Sequence, residues 1–187
     1  MKKIYLSLAL LLSLFTTAVN AHGPVRQDTD ETITINAPAE KVWSIIKNYD
    51  DMSWLPAVAS TEGKGSFEKG AIRVLTLKDG GSITEELKKY DDKKMSYAYK
   101  ITEMSTAKTI THAGKEEKVP ALPVDNYSAT ITVKAEGSNA VVNWKANYYR
   151  AYTNNDPPAE MNESAANTSV KAVLSEGLKN LKALAEK

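Results

Sequence analysis

Residues 70–90 read GAIRVLTLKDGGSITEELKKY. Two alternating runs flank Asp79-Gly80-Gly81. Glycine accepts positive φ without a Cβ clash, so this triplet signals a tight turn and the two runs form a hairpin. On the first run Arg73, Leu75 and Leu77 share one face, and Ile72, Val74 and Thr76 share the other. On the second run Ile83, Glu85 and Leu87 share a face. An antiparallel hairpin with one apolar face needs a cover.

Alternation continues on both sides. Upstream, ETITIN at 31–36 places Ile33 and Ile35 together on a strand. Pro38 and Glu40 then open a helix, in which Val42, Trp43, Ile45 and Ile46 recur at helical spacing. Residues 50–56 (DDMSWLP) read as a second short helix or turn that Pro56 ends. Downstream, Met95, Tyr97, Tyr99 and Ile101 share one side of a further strand. Tyr127, Ala129, Ile131 and Val133 do the same, as do Val142, Trp144, Ala146 and Tyr148. Between them, residues 104–124 are polar and contain Pro120 and Pro123, so a long lid or binding loop is expected there, with residues 108–112 as a short strand at most.

The cover comes last. Residues 154–158 (NNDPP) carry a helix-start signature. Ala166, Val170, Val173, Leu174, Leu178, Leu181, Leu184 and Ala185 then form one helical stripe, with Gly177 beside it where a strand can approach. The expected fold is therefore α+β. A curved antiparallel sheet of six to seven strands wraps around a long C-terminal helix, with two short helices after the first strand. Such a grip leaves a cavity between sheet and helix.

The 187 residues include an export segment at 1–21: Lys2 and Lys3, an apolar run at 4–15, and Val19-Asn20-Ala21 for cleavage after Ala21. Its removal leaves 166 residues, 22–187, read as one helix-grip domain, and takes the net charge from +1 to −1. The apolar run is too short to span a bilayer, so no membrane association is expected after cleavage. A near-neutral chain without a long basic run argues against nucleic acid. The absence of Cys excludes disulfides, thiol nucleophiles and thiolate metal sites, and export without Cys fits a bacterial periplasm. His22 and His112 are the two histidines. A copper chelate at a new His22 terminus would need both, so neither a metal nor a cofactor is expected.

The sequence resembles the START/Bet v 1-like (SRPBCC) superfamily of helix-grip ligand-binding domains over nearly the whole mature chain. Within it the likeness is nearest to the periplasmic accessory proteins of bacterial methanol oxidation. Six stretches carry this: His22-Gly23-Pro24, APAEKVWSIIKNYDDMSWLPAVAST at 37–61, the hairpin extended to Asp92, PVDNYSATITVK at 123–134, YYRAYTNNDPP at 148–158, and GLKNLKALAEK at 177–187. The resemblance implies partners, methanol dehydrogenase and/or its c-type cytochrome, and a role in electron transfer between them. Relatives often have His after the Trp of the second short helix. This chain has Leu55 there, so no role of that His carries over.

Candidate pocket residues are Trp54, Arg73, Leu75, Leu77, Glu85, Tyr97, Tyr99, Trp144 and Tyr148. Arg73 and Glu85 lie on adjacent hairpin strands, and pairing across the Asp79-Gly80 turn is expected to bring them near one another, either as polar anchors for a ligand or as a structural ion pair. The positions matching Arg73, Leu75, Leu77 and Glu85 line the pocket in related helix-grip domains. The aromatic residues form either core or the lining of a small apolar ligand's site. Trp54 stands where a pocket mouth is expected, as a gate or as a core plug. No G-x-S-x-G or glycine-rich phosphate loop is present, so catalytic residues are not assigned. Three functions remain open: a non-enzymatic accessory protein, a carrier of a small apolar molecule, and a cyclase- or hydrolase-like enzyme using Arg73, Glu85 and Tyr97.

Overall fold

A computed structural model describes residues 23–63 and 67–187, so the expected export segment and His22 lie outside the described residues. Strand β1 (Gln27–Ile35) leads into α1 (Ala39–Ile46), followed by β2 (Val58–Gly63), β3 (Ile72–Leu77), β4 (Ser82–Asp91) and β5 (Ser96–Met104). A separate hairpin, β6 (Thr106–His112) and β7 (Lys115–Pro120), precedes β8 (Val124–Glu136) and β9 (Asn139–Arg150). A 3-10 turn at Ala159–Met161 then delivers the chain to α2 (Glu163–Ala185).

Seven strands form one sheet in the order β1-β9-β8-β5-β4-β3-β2, and every pairing is antiparallel. The β3–β4 turn forms as its glycines require: Gly80 has φ +93°, and Gly81 N–H donates to Asp79 Oδ1 at 3.1 Å. Register therefore sets Arg73 directly opposite Glu85. Pairing between β5 and β8 covers only Ser96–Lys100. Past that point β5 and β8 no longer pair, and the β8–β9 ladder carries a bulge between Asp125 and Ser128.

The stripe on α2 is the cover. Ala166, Val170, Leu174, Leu178 and Leu181 are buried against the sheet, with Val173 and Leu184 half-buried at the stripe's margins. Each Leu so buried contributes about 1.5–3 kcal/mol of transfer free energy. At Gly177 a Cβ would meet Leu55 Cδ1 at 2.7 Å and Trp144 Cζ3 at 2.9 Å, so helix and sheet touch here through a missing methyl. Helix α1 is fastened to the β4–β5 turn by Trp43 Nε1, which donates to Asp92 Oδ1 at 2.7 Å.

Three expectations need correction. One short helix, not two, follows β1. Residues 50–56 form turns, because Asp51 Oδ1 takes the Ser53 N–H, Thr61 Oγ1 takes the Met52 N–H, and Pro56 denies a further donor. The segment 104–124 is a paired hairpin rather than an open loop: Pro120 is tolerated as the last residue of β7, and Pro123 lies outside β8. Helix α2 begins at Glu163, not at the Pro pair, because Asn162 is extended and its side chain accepts from Ala165 N–H at 2.9 Å. Arg150 holds the intervening loop, donating to the carbonyls of Tyr152 at 2.7 Å and Asn154 at 2.9 Å and pairing with Glu163.

Candidate functional site

Sheet, turns and α2 enclose a cavity of about 280 Å³. Its wall is apolar for most of its extent. Met52 and Leu55 come from the turns after α1, Leu75 and Leu77 from β3, Ile83 from β4, and Val173 from α2. Polar groups enter from Glu85, Tyr99, Tyr127 and Trp144, while Lys78 and Asp79 stand at the exposed β3–β4 turn. Apolar walls with a few converging polar groups are the usual make-up of a small-molecule site.

Five expected pocket residues share this wall: Leu75, Leu77, Glu85, Tyr99 and Trp144. Four do not line it. Arg73, 0% exposed, lies behind Glu85: its Nε donates to Glu85 Oε2 at 2.6 Å and its Nη1 donates to the Tyr49 carbonyl at 2.8 Å. Its guanidinium carbon sits 4.1 Å from the Tyr49 ring centroid and 5.0 Å from that of Tyr99. Tyr97 packs between Trp43 and Tyr49. Tyr148 shares a hydrogen bond with Thr29 and donates to Asn167 Oδ1 on α2. Trp54 is a buried plug whose ring lies 5.3 Å from that of Trp144. For Arg73, Tyr97 and Tyr148 alternation places the residue on the inner face, but side-chain depth and neighbours fill the space between it and the cavity; Trp54 comes instead from the turns after α1.

The ion pair inverts the usual electrostatics. Burial pushes the Glu85 carboxyl up, and the charge and hydrogen bond of Arg73 oppose that rise. For Arg73 burial acts against the cation, yet Glu85 beside it holds the guanidinium firmly protonated. Burial also raises Tyr97, Tyr99 and Tyr127 above the ordinary phenol value. Trp144 Nε1 donates to the Tyr99 hydroxyl at 3.1 Å, which ties two wall residues together.

Tyr127, Ile101, Ala121 and Leu122 also line the cavity without having been singled out as pocket residues. Tyr127 was legible from the alternation of β8. Ala121 and Leu122 were not, because they sit where the chain leaves the hairpin. Tyr127 and Ile101 have a second role: they also line a polar groove of about 370 Å³ outside, where β5 and β8 part. Among the described residues no cluster of three or more His, Asp or Glu could hold a metal, and His112 Nε2 donates to the Asp156 carbonyl at 2.7 Å.

A curved sheet closed over a long helix around an apolar cavity defines a helix-grip protein. The chain belongs to the family described as polyketide cyclase / dehydrase and lipid transport, whose profile matches residues 26–186, within the START/Bet v 1-like superfamily. An uncharacterized protein of Bacillus thuringiensis is 25% identical, with a TM-score of 0.66 over 86% of this chain and 100% of that one. The protein XoxI of Bacillus cereus is 26% identical, with a TM-score of 0.64 over 84% of this chain and 94% of that one. Ara h 8.0201, at 14% identity, shares the fold with a TM-score of 0.61 over 86% of this chain and 98% of that one. No curated protein matches the sequence.

Proposed function

We propose that this is a non-catalytic accessory protein of periplasmic methanol oxidation, assisting interaction or electron transfer between methanol dehydrogenase and its c-type cytochrome. The sequence support is the likeness of six ordered stretches to MxaD, a protein of that role. The structural observation that favours it concerns the polar segments 106–120 and 151–158, which are tied into one exposed face. His112 bonds the Asp156 carbonyl and stacks edge-on to Tyr152 at 5.4 Å, and Lys108 pairs with Glu160 at 3.4 Å. Electron-transfer encounters are small and transient, so a polar face of this kind suffices and no large apolar patch is required. The test mixes the purified mature protein with methanol dehydrogenase and its cytochrome and follows cytochrome reduction. A saturable, salt-sensitive acceleration supports the reading, and an unchanged rate across concentrations overturns it.

The cavity favours a second reading, a binder or carrier of a small apolar molecule. An enzyme reading needs Arg73, Glu85 and Tyr97 to meet one substrate, and of these Glu85 alone lines the cavity. Native mass spectrometry of protein purified from its own periplasm tests the carrier reading. A retained small molecule supports it, and a ligand-free mass together with failure to take up apolar probes removes it.

A further inference from the structure

We propose that the cavity recognises a small, mostly hydrocarbon, neutral molecule that bears a hydroxyl group, and that Glu85 accepts the hydroxyl's hydrogen. This rests on the carrier reading above and names its ligand class. Glu85 is 5% exposed and lines the cavity. An ionised carboxylate offers about four acceptor positions. Among the described residues Glu85 makes one hydrogen bond, from Arg73 Nε to Oε2. Its other oxygen is therefore an open acceptor in a wall that is otherwise largely apolar. That oxygen is reachable from the cavity, so a ligand hydroxyl can donate to it, and a charge-assisted hydrogen bond of this kind is about twice as strong as one between neutral groups.

The same geometry sets the ligand's charge. Arg73 beside Glu85 makes the pair neutral, so an ammonium would bring an uncompensated charge into an apolar wall. A carboxylate would face Glu85 as a like charge. At the mouth Lys78 and Asp79 are adjacent and of opposite sign, so neither ion is drawn in there. Size follows from volume. A cavity of about 150 Å³ holds benzene, so one of about 280 Å³ takes roughly ten heavy atoms.

The test is calorimetric titration of the mature protein with 3-phenylpropan-1-ol, 3-phenylpropanoate and propylbenzene, three probes on one skeleton. A purely apolar cavity ranks propylbenzene first, because a hydroxyl must be stripped of water. The expected order places the alcohol first and the acid about tenfold or more below it, the discrimination that a charge-assisted hydrogen bond supplies. The double variant Arg73→Met/Glu85→Leu removes the acceptor without stranding a charge, and it should rank propylbenzene first. If that variant does not fold, the order in the unaltered protein decides. Propylbenzene bound more tightly than the alcohol, or an acid bound as tightly, overturns the inference and leaves the carrier reading standing. Binding of none of the three overturns the inference, and together with a ligand-free native mass it removes the carrier reading as well.

Discussion

Gly177 on α2 and Trp144 on β9 are so close that a single added methyl would lie 2.9 Å from Trp144 Cζ3. Trp144 cannot retreat easily, because its Nε1 is committed to Tyr99. Gly177→Ala should therefore destabilise the protein even though Ala gains about 1 kcal/mol in helix propensity over Gly. Overpacking costs typically about 1–3 kcal/mol, and here it exceeds the propensity gain. A lower melting temperature is expected, with a smaller added loss in a Leu55→Ala background, where the 2.7 Å contact is gone. A raised melting temperature would mean that helix and sheet separate freely.

The buried pair predicts unequal single variants. Glu85→Leu strands a guanidinium that cannot shed its proton, with an expected loss of about 3–5 kcal/mol. Arg73→Met leaves a carboxyl that can bind a proton instead, so it should cost less. The double variant should lie close to the unaltered protein, since replacing both partners by apolar groups is often neutral. Urea denaturation of the three variants checks the order.

Alkaline stability follows from the phenols. Burial raises Tyr97, Tyr99 and Tyr127, and burial with Asp92 pushes Tyr90 up to about 12, against an ordinary 10.0. A phenol whose folded value is raised contributes stability that is intact below about 10 and is lost as pH rises through the folded value. Near-ultraviolet phenolate absorbance should thus show the buried Tyr97, Tyr99 and Tyr127 ionising only together with unfolding. Titration of Tyr97, Tyr99 and Tyr127 near pH 10 in the folded protein would contradict the packing described.

Filling the cavity should separate binding from folding. Val173 on α2 lines the cavity and is half-buried. Val173→Phe places a ring into existing space, so stability should change by less than about 1 kcal/mol. Uptake of propylbenzene should fall at least tenfold, read by calorimetry on a variant whose circular dichroism is unaltered.

Alternation made the strands legible, and with them the inner faces. Asp79-Gly80-Gly81 marked the β3–β4 turn and put Arg73 and Glu85 on adjacent strands, while the register that sets them directly opposite is seen only in the pairing itself. Depth was not legible in this way. Arg73, Leu75 and Leu77 share a face, yet only the latter two reach the cavity, because Tyr49, Tyr97 and Tyr99 occupy the space around the guanidinium. The β6–β7 hairpin was hidden for a different reason. Its strands are largely solvent-exposed, so no apolar period marks them, and its turn at Ala113 and Gly114, both at positive φ, is signalled by one glycine. Helix α2 was legible as a stripe, but its start depended on the cap supplied by Asn162.

The Arg73–Glu85 pair also guards against misfolding. If β3 slid by one residue against β4, one strand would turn its apolar side chains outward. A slide of two residues would keep the faces and so escape that penalty. Arg73 would then oppose Ile83 or Leu87, and two opposite charges would be buried apart from each other. Leucine and isoleucine alone would tolerate the two-residue error. The ion pair makes it expensive, so the electrostatics buried behind the cavity wall proofread the pairing of the hairpin that builds it.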